Sequence, residues 1–128
     1  MITGIGTDIV QIPRIERLLD LYGLDFIKKI LSEREIQQLV KLNKDKHGCF
    51  VAKRFAAKEA VSKALGTGIG RDLKFTDISV MNDDLGKPFI QIFSTKNLDK
   101  FKQIKIHISI SDDYPIAVAF AIATLYSE

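Results

Sequence analysis

Apolar positions recur along this chain with two periods, and the periods divide it into strands and helices. Ile2, Ile5, Ile9, Val10 and Ile12 stand among glycines, which predicts a strand with a close backbone approach, and Pro13 suits the first turn of a following helix. Ile15, Leu18, Leu19 and Tyr22 fall at i, i+3, i+4 and i+7 as that helix's apolar stripe, with Arg14 and Arg17 off it and facing outward. Ser32 and Glu35 have the spacing of a capping box, and Ile36, Leu39 and Val40 continue a short amphipathic helix behind it. From about residue 50 to Leu65, apolar side chains such as Val51, Ala56, Ala60 and Val61 cover almost the whole circumference at ~100° per residue. Such a helix is largely buried, and Gly66 closes it. Segments 75–81, 88–93, 104–111 and 116–125 read as strands, the first two joined by the turn-rich NDDLGK. In the third, four isoleucines alternate with Lys105, His107, Ser109 and Ser111, so one face is apolar and the other carries an imidazole and two hydroxyls. The pattern predicts an α+β fold, a mostly antiparallel sheet with a long buried helix, in a single domain over 1–128.

Composition narrows the class. With 46% hydrophobic and 27% charged residues in 128, the chain has material for one core and is not a disordered tail. No apolar run is long enough to cross a bilayer, and the N-terminus lacks the basic start and apolar core of a signal peptide, so a cytoplasmic location without membrane contact is expected. The single cysteine, Cys49, excludes an internal disulfide and a Cys-based zinc site, and reads as a small buried residue. A formal net charge of +3 favours anionic partners without choosing among them.

The long helix carries RFAAKEAVSK at 54–63, five charges on a surface that otherwise reads as buried. Glu59 and Lys63 share one face, and Arg54 and Lys58 a neighbouring one. On an ordinary helix these would be solvated rows or weak ion pairs. On a helix apolar all round, charges are expensive unless they are paired, bind metal or line a cleft. A carboxylate flanked by cations suits a phosphate-handling centre, where Mg²⁺ takes one or two protein carboxylates and keeps waters and substrate phosphates as its other ligands. Asp8, within GIGTDIV, is a candidate second carboxylate, and also reads as the cap of a nearby turn. The glycines at 4–6 and 66–70 lack the order of a dinucleotide fingerprint. The second cluster reads as a helix terminator or as a loop bringing Gly66 and Gly68 N–H groups close to a phosphate.

GIGTDIV near the N-terminus together with FAAKEAVSKALGTG resembles the two signature motifs of the holo-acyl-carrier-protein synthases, the small 4′-phosphopantetheinyl transferases. The resemblance spans nearly the whole chain: Arg14, the GKP at 86–88 and the HISIS strand before an Ala-rich final strand follow the family's order. It implies transfer of 4′-phosphopantetheine from coenzyme A to a serine of apo acyl carrier protein, with Mg²⁺, releasing adenosine 3′,5′-bisphosphate and serving fatty acid biosynthesis. It further implies that Asp8 and Glu59 hold the metal, that Glu59 and Lys63 are catalytic, and that Arg54, Lys58, Lys63, Gly66, Gly68 and Pro88 bind the coenzyme. Glu59 or a metal-bound water would be the base. A homotrimer with sites at subunit interfaces is implied too, with His107, Ser109 and Ser111 reaching a neighbour's site, or else forming a solvated face. Arg14 and Arg17, with Lys28 and Lys29, would meet the acidic carrier protein. One position departs from the family's pattern: Asp112 stands where a histidine is common. Against a nucleic-acid module, the chain has no Trp and its aromatics are scattered. A metal-dependent phosphohydrolase would use the same Asp8, Glu59 and Lys63.

Overall fold

The computed structural model of this chain describes residues 1–93 and 101–126. Strand β1 (Ile2–Gln11) leads into helices α1 (Ile12–Tyr22), α2 (Leu24–Ile30) and α3 (Glu33–Leu39), then the long helix α4 (His47–Leu65). Strands β2 (Ile78–Asn82) and β3 (Pro88–Ile92) form a hairpin, and β4 (Ile104–Asp113) and β5 (Ile116–Leu125) form another. All described pairings are antiparallel, in a three-stranded sheet ordered β1-β5-β4 and a two-stranded sheet β2-β3. The α+β class follows as expected.

α4 is the centre of the core, with Val51, Ala52, Ala56, Ala57, Ala60 and Val61 fully buried. Small residues let a sheet lie directly on it. A Cβ at Gly4 would sit 1.9 Å from the Ala64 carbonyl oxygen, and one at Gly6 2.1 Å from that of Ala60. Ala117, Ala119, Ala121 and Ala123 of β5 are buried beside them. The close approach expected of β1 is therefore against the backbone of α4. Because side chains alternate along a strand, Gly4, Gly6, Asp8 and Val10 face the helix and Ile5 and Ile9 face away.

Several boundaries shift. α4 begins at His47, three residues before its apolar run, behind a 3-10 turn at Lys44–Lys46. Phe75–Asp77 is a 3-10 turn whose Asp77 carboxylate accepts from the Lys74 N–H at 2.9 Å, so β2 starts only at Ile78. α2 has no counterpart in the periodicity reading. Tyr22, placed on the α1 stripe, is exposed, and Val40 is the exposed cap of α3. Ser32 and Glu35 do make the capping box. Gly66 ends α4 in the left-handed region at φ 80°.

Candidate active site

The charges of α4 divide into two groups of opposite character. Lys58 has no solvent exposure: its Nζ donates to Glu35 Oε1 at 2.6 Å and to the Ile30 carbonyl at 2.5 Å. Glu35 is equally buried and also accepts from the Ser32 N–H at 2.8 Å and the Val80 N–H at 3.0 Å. Arg54 stacks on the Phe50 ring at 3.7 Å, donates to Gln38 at 3.3 Å and lies 3.7 Å from Glu35. Burial lowers the proton affinity of both Lys58 and Arg54, while Glu35 opposes the shift. This corrects the reading of Lys58 and Arg54 as a cationic surface. Lys58 ties α4 to α2, α3 and β2 and is closed to any coenzyme; Arg54 is buried as well, but borders a cavity.

The second group is open. Lys63 Nζ donates to the Thr7 carbonyl at 2.9 Å and to Asp8 Oδ1 at 3.2 Å. The Lys63 side chain is 52% exposed and that of Asp8 18%, so the pair sits at a solvent-facing edge between β1 and α4. Glu59, one helical turn before Lys63, is half-buried there. Burial pushes its carboxyl up, the Asp8 charge pushes it further, and Lys63 pulls it back. Asp8 thus pairs with Lys63 next to the like charge of Glu59, with no turn-capping bond from its carboxylate among the described residues.

Two hard carboxylates that repel each other form a donor pair suited to Mg²⁺, and an ammonium lies beside one of them. Asp8 and Glu59 are two carboxylates, within the number Mg²⁺ typically takes from a protein when waters and substrate phosphates supply its other ligands. The terminator loop is closed to that use: the N–H groups of Gly66 and Gly68 bond back to the carbonyls of Lys63 and Ser62 at 3.1 and 3.2 Å.

The remaining expected residues lie elsewhere. Pro88 opens β3 and lines a cavity of about 220 Å³ with Lys53, Arg54, Asn82, Ile110 and Asp112. At ~100° per residue, α4 turns Arg54 some 140° away from Glu59, so this cavity and the carboxylate pair are on different sides of the helix. His107, Ser109 and Ser111 are exposed on β4, where His107 Nε2 contacts Thr124 Oγ1 at 3.1 Å. They share the sheet's outer face with Ile5, Ile9 and Phe120, which are 61, 66 and 43% exposed. Register makes that face continuous, pairing Thr7 with Phe120 and Phe120 with Ser109. Arg14, Arg17, Lys28 and Lys29 are exposed, and Lys28 and Lys29 line a groove with Leu18, Tyr22, Asp25 and Phe26. The sequence reading missed Glu35 as an ionic hub and Lys53 as a cavity residue. Its only signal for the first was a capping box.

Residues 4–119 match the model of the 4′-phosphopantetheinyl transferase superfamily, to which this chain belongs. The holo-[acyl-carrier-protein] synthase of Orientia tsutsugamushi (strain Ikeda) is 48% identical over 126 residues, 95% of this chain and 96% of that protein. Among solved structures, the holo-(acyl-carrier-protein) synthase of Bacillus anthracis str. Ames in complex with CoA (3′,5′-ADP) is 45% identical, with a TM-score of 0.83 and 96% of each chain covered. That of Neisseria meningitidis is 39% identical, with a TM-score of 0.88, covering 97% of this chain and 99% of that one. The resemblance carried by the two motifs therefore stands across fold and sequence.

Proposed function

We propose that this chain transfers 4′-phosphopantetheine from coenzyme A to a serine hydroxyl of an apo acyl carrier protein, with Mg²⁺, releasing adenosine 3′,5′-bisphosphate. The observation that carries the reading is the convergence of Asp8, Glu59 and Lys63 at one edge of β1 and α4, in a chain whose relatives are synthases of this kind. Asp8 and Glu59 are the residues that would hold the metal. Bound Mg²⁺ supplies neutralisation of the charge on the attacked and departing phosphates, most of what phosphoryl transfer requires. Lys63, fixed by Thr7 and Asp8, presents its remaining N–H to the same phosphates. Glu59, with its proton affinity raised, suits the role of proton acceptor for the serine hydroxyl.

The carrier protein docks on the exposed cations Arg14 and Arg17 of α1 and Lys28 and Lys29 of α2, the last two of which, with Asp25, line an apolar groove, an arrangement that fits an acidic amphipathic helix. The exposed apolar outer face of the β1-β5-β4 sheet supports a homotrimer in which His107, Ser109 and Ser111 reach a neighbour's site. Supply of holo carrier for fatty acid biosynthesis in the cytoplasm completes the reading; no helix among the described residues is long and apolar enough to cross a membrane.

The test is intact-mass spectrometry of an apo acyl carrier protein incubated with this protein, coenzyme A and Mg²⁺. A gain of one phosphopantetheine group that a chelator abolishes is the expected result. Coenzyme A cleaved without protein modification would replace the transferase by a phosphohydrolase. Light scattering checks the assembly, which should have three times the 14.4 kDa chain mass.

A further inference from the structure

The cavity beside Pro88 contains an ion pair that the metal centre does not use. Lys53 Nζ lies 3.5 Å from Asp112 Oδ1, with both side chains about one-third exposed at 34 and 38%. Cys49 Sγ donates to Asp112 Oδ2 at 3.4 Å. Burial, and then this hydrogen bond, push the thiol up, so it remains an S–H donor that fixes the carboxylate. Deeper in, Arg54 shares the one carboxylate of Glu35 with Lys58, leaving two cations on a single anion. Arg54 Nε is buried without a hydrogen-bond partner among the described residues. The cavity therefore has an uncompensated positive charge in its wall and a second cation, Lys53, already engaged by a carboxylate at its rim.

We propose that Asp112 is a counter-charge gate on this cavity: an entering phosphate monoester takes Lys53 from Asp112, and that exchange sets how strongly the protein prefers a coenzyme with a 3′-phosphate. The proposal rests on the reading of coenzyme A as co-substrate. Of the anionic groups on coenzyme A, the pyrophosphate belongs to Asp8 and Glu59, and α4 turns Arg54 away from that pair. The 3′-phosphate is what remains, a group near two negative charges at neutral pH and well matched to Lys53, Arg54 and the Asn82 amide. Asp112 competes with it for Lys53 and repels it directly. The gate lowers affinity for every anion, and the loss is largest for the most highly charged.

Calorimetric titration of adenosine 3′,5′-bisphosphate and of adenosine 5′-phosphate, without carrier protein, reads the cavity directly. Asp112→Asn should tighten the bisphosphate about threefold to tenfold, as expected for removing one partly screened charge, and leave the monophosphate within about twofold. Lys53→Met should weaken the bisphosphate by a similar factor, and adding Asp112→Asn to Lys53→Met should then recover much less than it gains alone. Asp112→Ser, with thermal melting of each variant, separates the charge effect from a folding defect. An equal shift for both nucleotides, no shift, or an undiminished Asp112→Asn gain in the Lys53→Met background would overturn the gate. Because these titrations need no transfer, they stand apart from the carrier-modification assay: transfer without the nucleotide preference sinks the gate alone, and the preference without transfer sinks the transferase reading alone.

Discussion

Lys58 and Glu59 are neighbours in sequence on the same helix, yet they inhabit opposite environments. Lys58 is sealed, with its charge matched by Glu35 and a further proton bonded to the Ile30 carbonyl. Glu59, ~100° around the helix, is half-buried beside a second carboxylate that raises its proton affinity. The first environment is complete without any other molecule. The second improves when a cation arrives, which is what distinguishes a site from a strut.

Breaking the strut should have the largest effect. Lys58→Met leaves Glu35 buried with only Arg54 at 3.7 Å, and unfolding in urea should show a loss of about 3–5 kcal/mol. Adding Glu35→Gln should restore part of it, because the stranded charge goes with it. Glu59→Gln should spare the fold and lower kcat by about 100-fold to 1,000-fold, the range for removing one group aimed at developing charge. Unchanged turnover in Mg²⁺ would end its assignment as a ligand.

Gly6→Ala bears on both regions, since its Cβ would meet the Ala60 carbonyl at 2.1 Å. Pushing β1 off α4 should lower stability by about 1–3 kcal/mol and weaken Mg²⁺ dependence as Asp8 moves from Glu59, read by melting with and without the metal. The smallest effect is in pH. Glu59 binds its proton more tightly folded than unfolded, so the metal-free protein should lose stability as pH rises from the ordinary carboxyl value of 4.5 through the raised folded one, and no more above it. Glu59→Gln removes that slope, and Mg²⁺ should flatten it by competing with the proton.

How much of this was legible follows from the range of each signal. The glycines of β1 and the all-round apolar helix are local patterns, and they foretold a strand packed closely on a buried helix. α2 has seven residues, LDFIKKI, too few for a period to show, and packing rather than pattern makes it a helix. The site was half visible. Asp8 and Glu59 carry the motifs, whereas no rule of spacing says which of two adjacent charges turns inward. That depends on Glu35, 23 residues away in a segment whose evident task was to cap α3. Lys58 and Arg54 were accordingly placed on a surface that the tertiary structure does not give them.

The pairing of the first strand with the last has a consequence in time. Thr7 bonds across to Ala119, 112 residues later, and β1 has no other strand partner among the described residues. A chain emerging in order can form its helices early, but β1 waits for β5 before its ladder closes. Asp8 lies in that waiting strand, so the proposed metal centre, although β1 packs directly on α4, gains its full sheet support only once β5 has been made.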